Sequence, residues 1–170
     1  IYYTWFPFIW LTLLWQLWHG DHFSRSRSQF LLTFALSWIL LGTVAATLLS
    51  SVGPVYYGDI VGGPDPYAPL MANLHAIDAT TPLTALWAQN VLWQSYIDPS
   101  AAQVEGISAM PSMHVAMATL MALIAFRVNR RLGWAYTAYA GLIFLGSIHL
   151  GWHYALDGYV GALGTIGIWY

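Results

Sequence analysis

The chain has 170 residues, of which 58% are hydrophobic and 7% charged, at a mean hydropathy of +0.57; soluble domains carry about 25% charged residues, so the composition is that of a bilayer protein. With no cysteine there is no disulfide, no thiolate metal site and no cysteine nucleophile. A net charge of -2, five arginines and no lysine leave no basic patch suited to nucleic acid.

Ile1 to Trp18 is apolar apart from Thr4, Thr12 and Gln16 and ends at a polar stretch, His19 to Ser28, as a span does where it meets water. The chain opens inside this apolar run and closes inside another at Trp169 and Tyr170, which points to a core excised from a longer protein. Phe30 to Ser50 gives a second span of 21 uncharged residues. Gly53, Pro54, Gly62, Gly63, Pro64 and Pro66 then predict a long loop. Within it, Leu83, Leu86, Trp87 and Val91 recur at helical spacing around Asn90 and Gln94, and Trp93 and Tyr96 follow. That pattern predicts an interfacial helix over Leu83 to Ile97. Met113 to Phe126 is a third span, ending at Arg127, Arg130 and Arg131; Leu132 to Leu145 is a fourth; after a kink around Gly146 and Gly151 a fifth begins near His153. The expected fold is an all-α polytopic transmembrane bundle forming one core over residues 1–170, with five helices visible and about six in the full protein. Gly141, Gly158, Gly161 and Gly164 are expected to let helices approach closely, and the ten Trp and eleven Tyr to serve as membrane belt and packing.

Arg25 and Arg27 separate the first two spans, and Arg127, Arg130 and Arg131 separate the third and fourth. The loop from Ser51 to Pro111 has no arginine and carries Asp59, Asp65, Asp78, Asp98 and Glu105. By the positive-inside rule the arginines are cytoplasmic. The loop and the starts of the third and fifth spans then face the exterior, or the periplasm if the protein sits in a bacterial inner membrane.

Three ionisable residues fall at membrane depth on that side: His114, His153 and Asp157. Such groups are costly in lipid and mark function by default. His153 and Asp157 are four apart, so on a helix they share a face and the carboxylate can orient the ring. Pro111 and Ser112 precede His114 as a helix N-terminus would require, leaving backbone N–H groups free for phosphate. His149, His153 and Asp157 also have metal-ligand spacing, so a metal- or proton-handling membrane protein is the alternative reading, although a break at Gly151 spoils the common face. A third reading makes the trio a packing device without catalysis. His19, His22 and His75 read as solvated loop or interface residues.

The strings GISAMPSMHVAMATL, Gly106 to Leu120, and GSIHLGWHYALDGYVG, Gly146 to Gly161, resemble the second and third signatures of the type-2 phosphatidic acid phosphatase superfamily, a Pro-Ser-x-His box and a His-x-x-x-Asp box. The likeness covers most of the chain from about Phe30 onward. It is nearest to the branch containing inositol-phosphorylceramide synthases, where Gly53 to Tyr57 fall at a Pro-aromatic segment. The resemblance implies that His153 attacks phosphorus, Asp157 fixes its tautomer and stabilises its charge, and His114 protonates the leaving alkoxide, with no metal or other cofactor. Water or another hydroxyl would then open the phosphohistidine. The substrate it implies is a phospholipid or other lipid phosphate, and the branch favours transfer over hydrolysis. Two of the superfamily's cationic features are missing: there is no Lys-x6-Arg-Pro box, and Ser147 stands where the third signature has arginine. Phosphate binding is therefore expected to fall to backbone N–H groups at the start of the third span, with Ser112, Ser147, His149 or Tyr56, or to residues outside the fragment.

Overall fold

The structure, a computed structural model, describes residues 1–18, 24–98, 100 and 107–170; His19, His22, Glu105, Gly106 and the Arg25 side chain lie outside the described residues. Those described form helices and no strand. A 3-10 turn, Tyr2–Thr4, leads into α1, Trp5–Trp18. Helix α2, Ser24–Leu36, continues through a π-helical stretch, Ser37–Ala45, to Leu48. The wider winding is visible in Ala46 N–H reaching Leu41 and in Thr43 Oγ1 donating to Trp38 O at 3.2 Å, both five residues back. The helix begins six residues before the expected Phe30. Polar Ser and Arg mark where a helix leaves an apolar environment, and its hydrogen bonds start earlier.

The long loop is more structured than its Gly and Pro content predicts. A turn over Pro54–Tyr56 and Tyr57–Ile60 is followed by α3, Ala68–Asp78, and α4, Thr84–Ile97. Helix α4 lies within one residue of its predicted start. Helix α3 was not foreseen: it starts just past the Gly and Pro cluster that predicts a loop, and Pro69 occupies its first turn, where no intrahelical N–H is needed. Asp78 Oδ1 accepts the Leu83 N–H at 2.6 Å and links the two helices.

Helix α5, Met113–Val128, is capped by Ser112, and α6, Arg130–His149, by Asn129, whose Oδ1 accepts the Leu132 N–H at 2.8 Å. Helix α7 is Ala155–Trp169. His153 therefore precedes the last helix instead of lying on it, because the chain turns at Gly151, φ +73°. The shared helical face expected for His153 and Asp157 does not exist.

Helix α5 is central, with α6 and α7 packed along it and α1 and α2 around it. Met117, Leu120, Met121 and Ile124 meet Phe30, Ile143 and Trp169 in the core. At the far end Arg127 donates to Gln29 Oε1 at 3.4 Å and lies over the Trp169 ring, while Gln29 Nε2 donates to Trp169 O at 2.8 Å. This knot joins α2, α5 and α7 about 20 Å along α5 from His114, at 1.5 Å per residue. Among the described residues one helix, Ser26–Leu48, is long and apolar enough to cross a membrane. Helices α1, α5 and α7 have 14, 16 and 15 residues, below the roughly 17 that a full span takes, so length and composition do not by themselves give the five spans expected.

Close approach of α7 to α5 depends on Gly161, where an added Cβ would lie 2.4 Å from Ser112 O. Gly158 and Gly164 are similarly crowded by Phe144 and Leu41, whereas among the described residues a Cβ at Gly141 would meet nothing within 4 Å, so the close contact expected there is not seen. Gly161→Ala should thus cost about 1–3 kcal/mol by overpacking against backbone. Gly141→Ala should be neutral or stabilising by up to about 1 kcal/mol through helix propensity. Thermal unfolding of the two variants in one detergent separates them, and equal midpoints would remove Gly161 from the packing argument.

Candidate active site

The two boxes meet where α5 and α7 start. Ser112 Oγ accepts the Val115 N–H at 3.5 Å as the α5 cap, and the Ser112 N–H donates to the Asp157 backbone carbonyl at 2.9 Å. His114 is thereby held on the first turn of α5, against the first turn of α7. His153 is delivered by the α6–α7 turn, in which Trp152 and His153 N–H groups donate to Ser147 O at 3.0 and 3.2 Å. The loop helices brace this turn. Val55 N–H donates to Gly151 O at 3.0 Å, Gln89 Nε2 to Leu150 O at 2.8 Å, and the Tyr56 hydroxyl to Gln89 O at 2.9 Å. Only glycine fits at Gly53, since a Cβ there would lie 2.3 Å from Trp152 O.

His114 Nδ1 and His153 Nε2 are 2.9 Å apart, and His153 Nδ1 is 2.7 Å from Ala109 O. A carbonyl oxygen only accepts, so His153 carries its proton on Nδ1 and presents a lone pair at Nε2. His114 Nδ1–H is then the donor to that lone pair. Asp157 Oδ2 lies 3.7 Å from His153 Nδ1, beyond hydrogen-bond reach, and accepts the Tyr154 N–H at 2.8 Å. The expected tautomer control by Asp157 therefore passes to Ala109, itself fixed by its N–H donating to Ser51 O at 2.8 Å. Sequence gave no sign of Ala109 because a main-chain carbonyl has no side-chain signature. His153 and Asp157 are both buried.

The N-terminal turn closes over His114. Tyr2 stacks on its ring at 5.0 Å, Trp5 meets it edge-on at 4.8 Å, and Trp152 flanks it at 6.5 Å. Thr4 Oγ1 and the Tyr139 hydroxyl, 2.9 Å apart, tie this turn to α6. Sequence reasoning missed this cover, since Tyr2 and Trp5 read as ordinary belt aromatics.

Of the residues expected to bind phosphate, Ser112 joins the trio through its backbone. Ser147 is fully buried and donates to Phe144 O at 2.7 Å, within its own helix. His149 is exposed at the end of α6, lining a surface hollow with Leu145 and Gly146. Tyr56 is buried, stacked on Trp93, and its burial raises the phenol pKa well above the usual value, so it stays a neutral donor in the loop brace. His75 is exposed on α3, lining a cavity of the loop. Among the described residues no three of His, Asp and Glu come together as metal ligands.

No curated protein and no solved structure matches the chain. The sequence profile described as the PAP2 superfamily matches residues 1–170, and superfamily membership implies phosphatase or phosphotransferase chemistry. With its full length matched and its two histidine boxes folded against each other, the chain belongs to the PAP2 superfamily.

Proposed function

We propose that this protein is a multi-pass membrane enzyme that cleaves or transfers lipid phosphoesters at the extracytoplasmic face through a phosphohistidine on His153. The observation that carries the reading is the Nε2 lone pair of His153, set by the 2.7 Å contact of Nδ1 with Ala109 O and directed at a second histidine.

In-line displacement puts phosphorus between the attacking nitrogen and the leaving oxygen. The 2.9 Å histidine contact is then a resting arrangement that phosphate parts on entry. The phosphate's negative charge draws a proton onto His114. His153 Nε2 bonds to phosphorus, the bond to the alkoxide breaks, and the His114 imidazolium gives the departing oxygen its proton. In the second half, water or an acceptor hydroxyl attacks the phosphohistidine and yields its proton to His114. Asp157, 3.7 Å from Nδ1, balances the positive charge that His153 gains.

A bilayer setting is supported by large apolar side chains exposed along the helices, among them Leu11, Leu32, Leu145 and Leu163. Orientation rests on the arginines at the opposite end of α5. The likeness of Gly53 to Tyr57 to the synthase branch favours transfer of a phospho-alcohol headgroup. The test is product analysis from a mixed phospholipid panel in detergent with EDTA. A new phosphorylated lipid identifies a transferase and free headgroup phosphate a hydrolase. Wild type that is inert, or active only with added metal, sinks the reading.

A further inference from the structure

A phosphate at this histidine pair needs more donors than the pair supplies, yet the chain has no lysine and carries Ser147 where the resemblance expects arginine. Two buried donors beside His114 are unspent. Among the described residues the Tyr2 hydroxyl and the Trp152 Nε1–H have no hydrogen-bond partner. Tyr2 is 7% exposed and its ring lies on His114 at 5.0 Å, while Trp152 flanks the same imidazole at 6.5 Å and directly precedes His153. The phenol of Tyr3 approaches the Trp152 indole without reaching hydrogen-bond geometry. Leaving a buried donor unmade costs about 1–3 kcal/mol, so native structures carry few, and two around one ring call for a cause.

We propose that Tyr2 Oη and Trp152 Nε1 are the phosphate clamp of this enzyme, two neutral donors that bind the non-bridging oxygens in place of the missing cations. The inference rests on the phosphoester reading above and names the groups that hold the substrate there. Neutral donors suit a closed, apolar site. A lysine or arginine would carry a desolvation cost in the empty enzyme, whereas a phenol and an indole are stable there and strengthen when a charged acceptor arrives. Sequence position fits the role as well: Trp152 lies in the same turn that delivers the nucleophile, so clamp and nucleophile move together.

The experiment uses the full chain in detergent with orthovanadate, a tetrahedral phosphate mimic, measuring its binding by calorimetry, kcat/KM on phospholipid, and thermal midpoint for wild type, Tyr2→Phe and Trp152→Phe. Each substitution should weaken orthovanadate binding and lower kcat/KM about 10- to 100-fold, the range for hydrogen bonds to charged groups. Tyr2→Phe keeps the stacked ring and deletes only the hydroxyl, so its thermal midpoint should stay or rise. Orthovanadate affinity and kcat/KM unchanged in both variants would overturn the clamp and leave the phosphohistidine reading intact. The same holds for a wild type that turns over lipid but does not bind orthovanadate. Conversely, a wild type that binds orthovanadate, loses it in both variants and turns over no phosphoester would keep the anion site and remove the enzyme reading. A lowered Tyr2→Phe midpoint with unchanged binding would assign the hydroxyl to the fold.

Discussion

His153→Ala should abolish turnover on every phosphoester, whereas His114→Ala should spare esters whose leaving group needs no proton. The difference follows from the tautomers that Ala109 imposes. His153 Nε2 is the lone pair in the pair and His114 Nδ1 its donor, 2.9 Å away, so at this contact His153 presents the nucleophilic nitrogen and His114 the proton. Removing the nucleophile should drop kcat/KM by about 10⁴-fold or more, to background. Removing the acid should cost about 10²–10⁴-fold on a phospholipid, whose alkoxide is a poor leaving group. On a p-nitrophenyl phosphoester the same variant should lose far less, because the phenolate departs without protonation. Steady-state kinetics on both esters decide the matter. Equal losses of His114→Ala on the two would end its role as acid, and residual His153→Ala activity would place the nucleophile elsewhere. Because His153 also occupies the Ala109 carbonyl, a thermal midpoint for each variant separates lost chemistry from lost fold.

Residue by residue, the sequence disclosed the elements whose pattern is local and missed those whose cause is tertiary. Helix α5 and its Ser112 cap were legible, since an apolar run behind Pro-Ser defines a helix start without outside help. Helix α4 was legible from its apolar spacing. By contrast, α3 was hidden behind the Gly and Pro cluster that ends at Pro66, and the π-helical stretch in α2 leaves no compositional mark. His114, His153 and Asp157 stood out because ionisable groups are rare in apolar runs, and the structure does bring them together. The reason offered for joining His153 to Asp157 was nonetheless wrong: a turn at Gly151 puts His153 outside α7, and proximity arises from the Ser147 carbonyl holding that turn. Ala109 and Tyr2 were not legible, one acting through its main chain and the other reaching His114 from more than a hundred positions away in sequence.

Asp157→Asn should keep the fold and lose about 10²–10³ in kcat. Two jobs meet on this carboxylate. Oδ2 accepts the Tyr154 N–H at 2.8 Å, which caps α7, and it stands 3.7 Å from His153 Nδ1 without a hydrogen bond. An asparagine oxygen can still cap the helix, so the thermal midpoint should hold, whereas Asp157→Ala removes the cap as well and should cost about 1 kcal/mol of stability besides. What asparagine cannot supply is charge. At 3.7 Å a full charge pair is worth about 4 kcal/mol at an effective dielectric of about 20, an upper limit equal to about 10³ in rate. Where a carboxylate also fixes the tautomer of its histidine, the amide costs about 10⁴. Here Ala109 holds the tautomer, so the loss should stop short of that. Comparison of kcat and thermal midpoint for the three proteins reads the two jobs apart. A fall of 10⁴ or more in Asp157→Asn with an intact midpoint would return tautomer control to Asp157, and an unchanged kcat would reduce it to a helix cap.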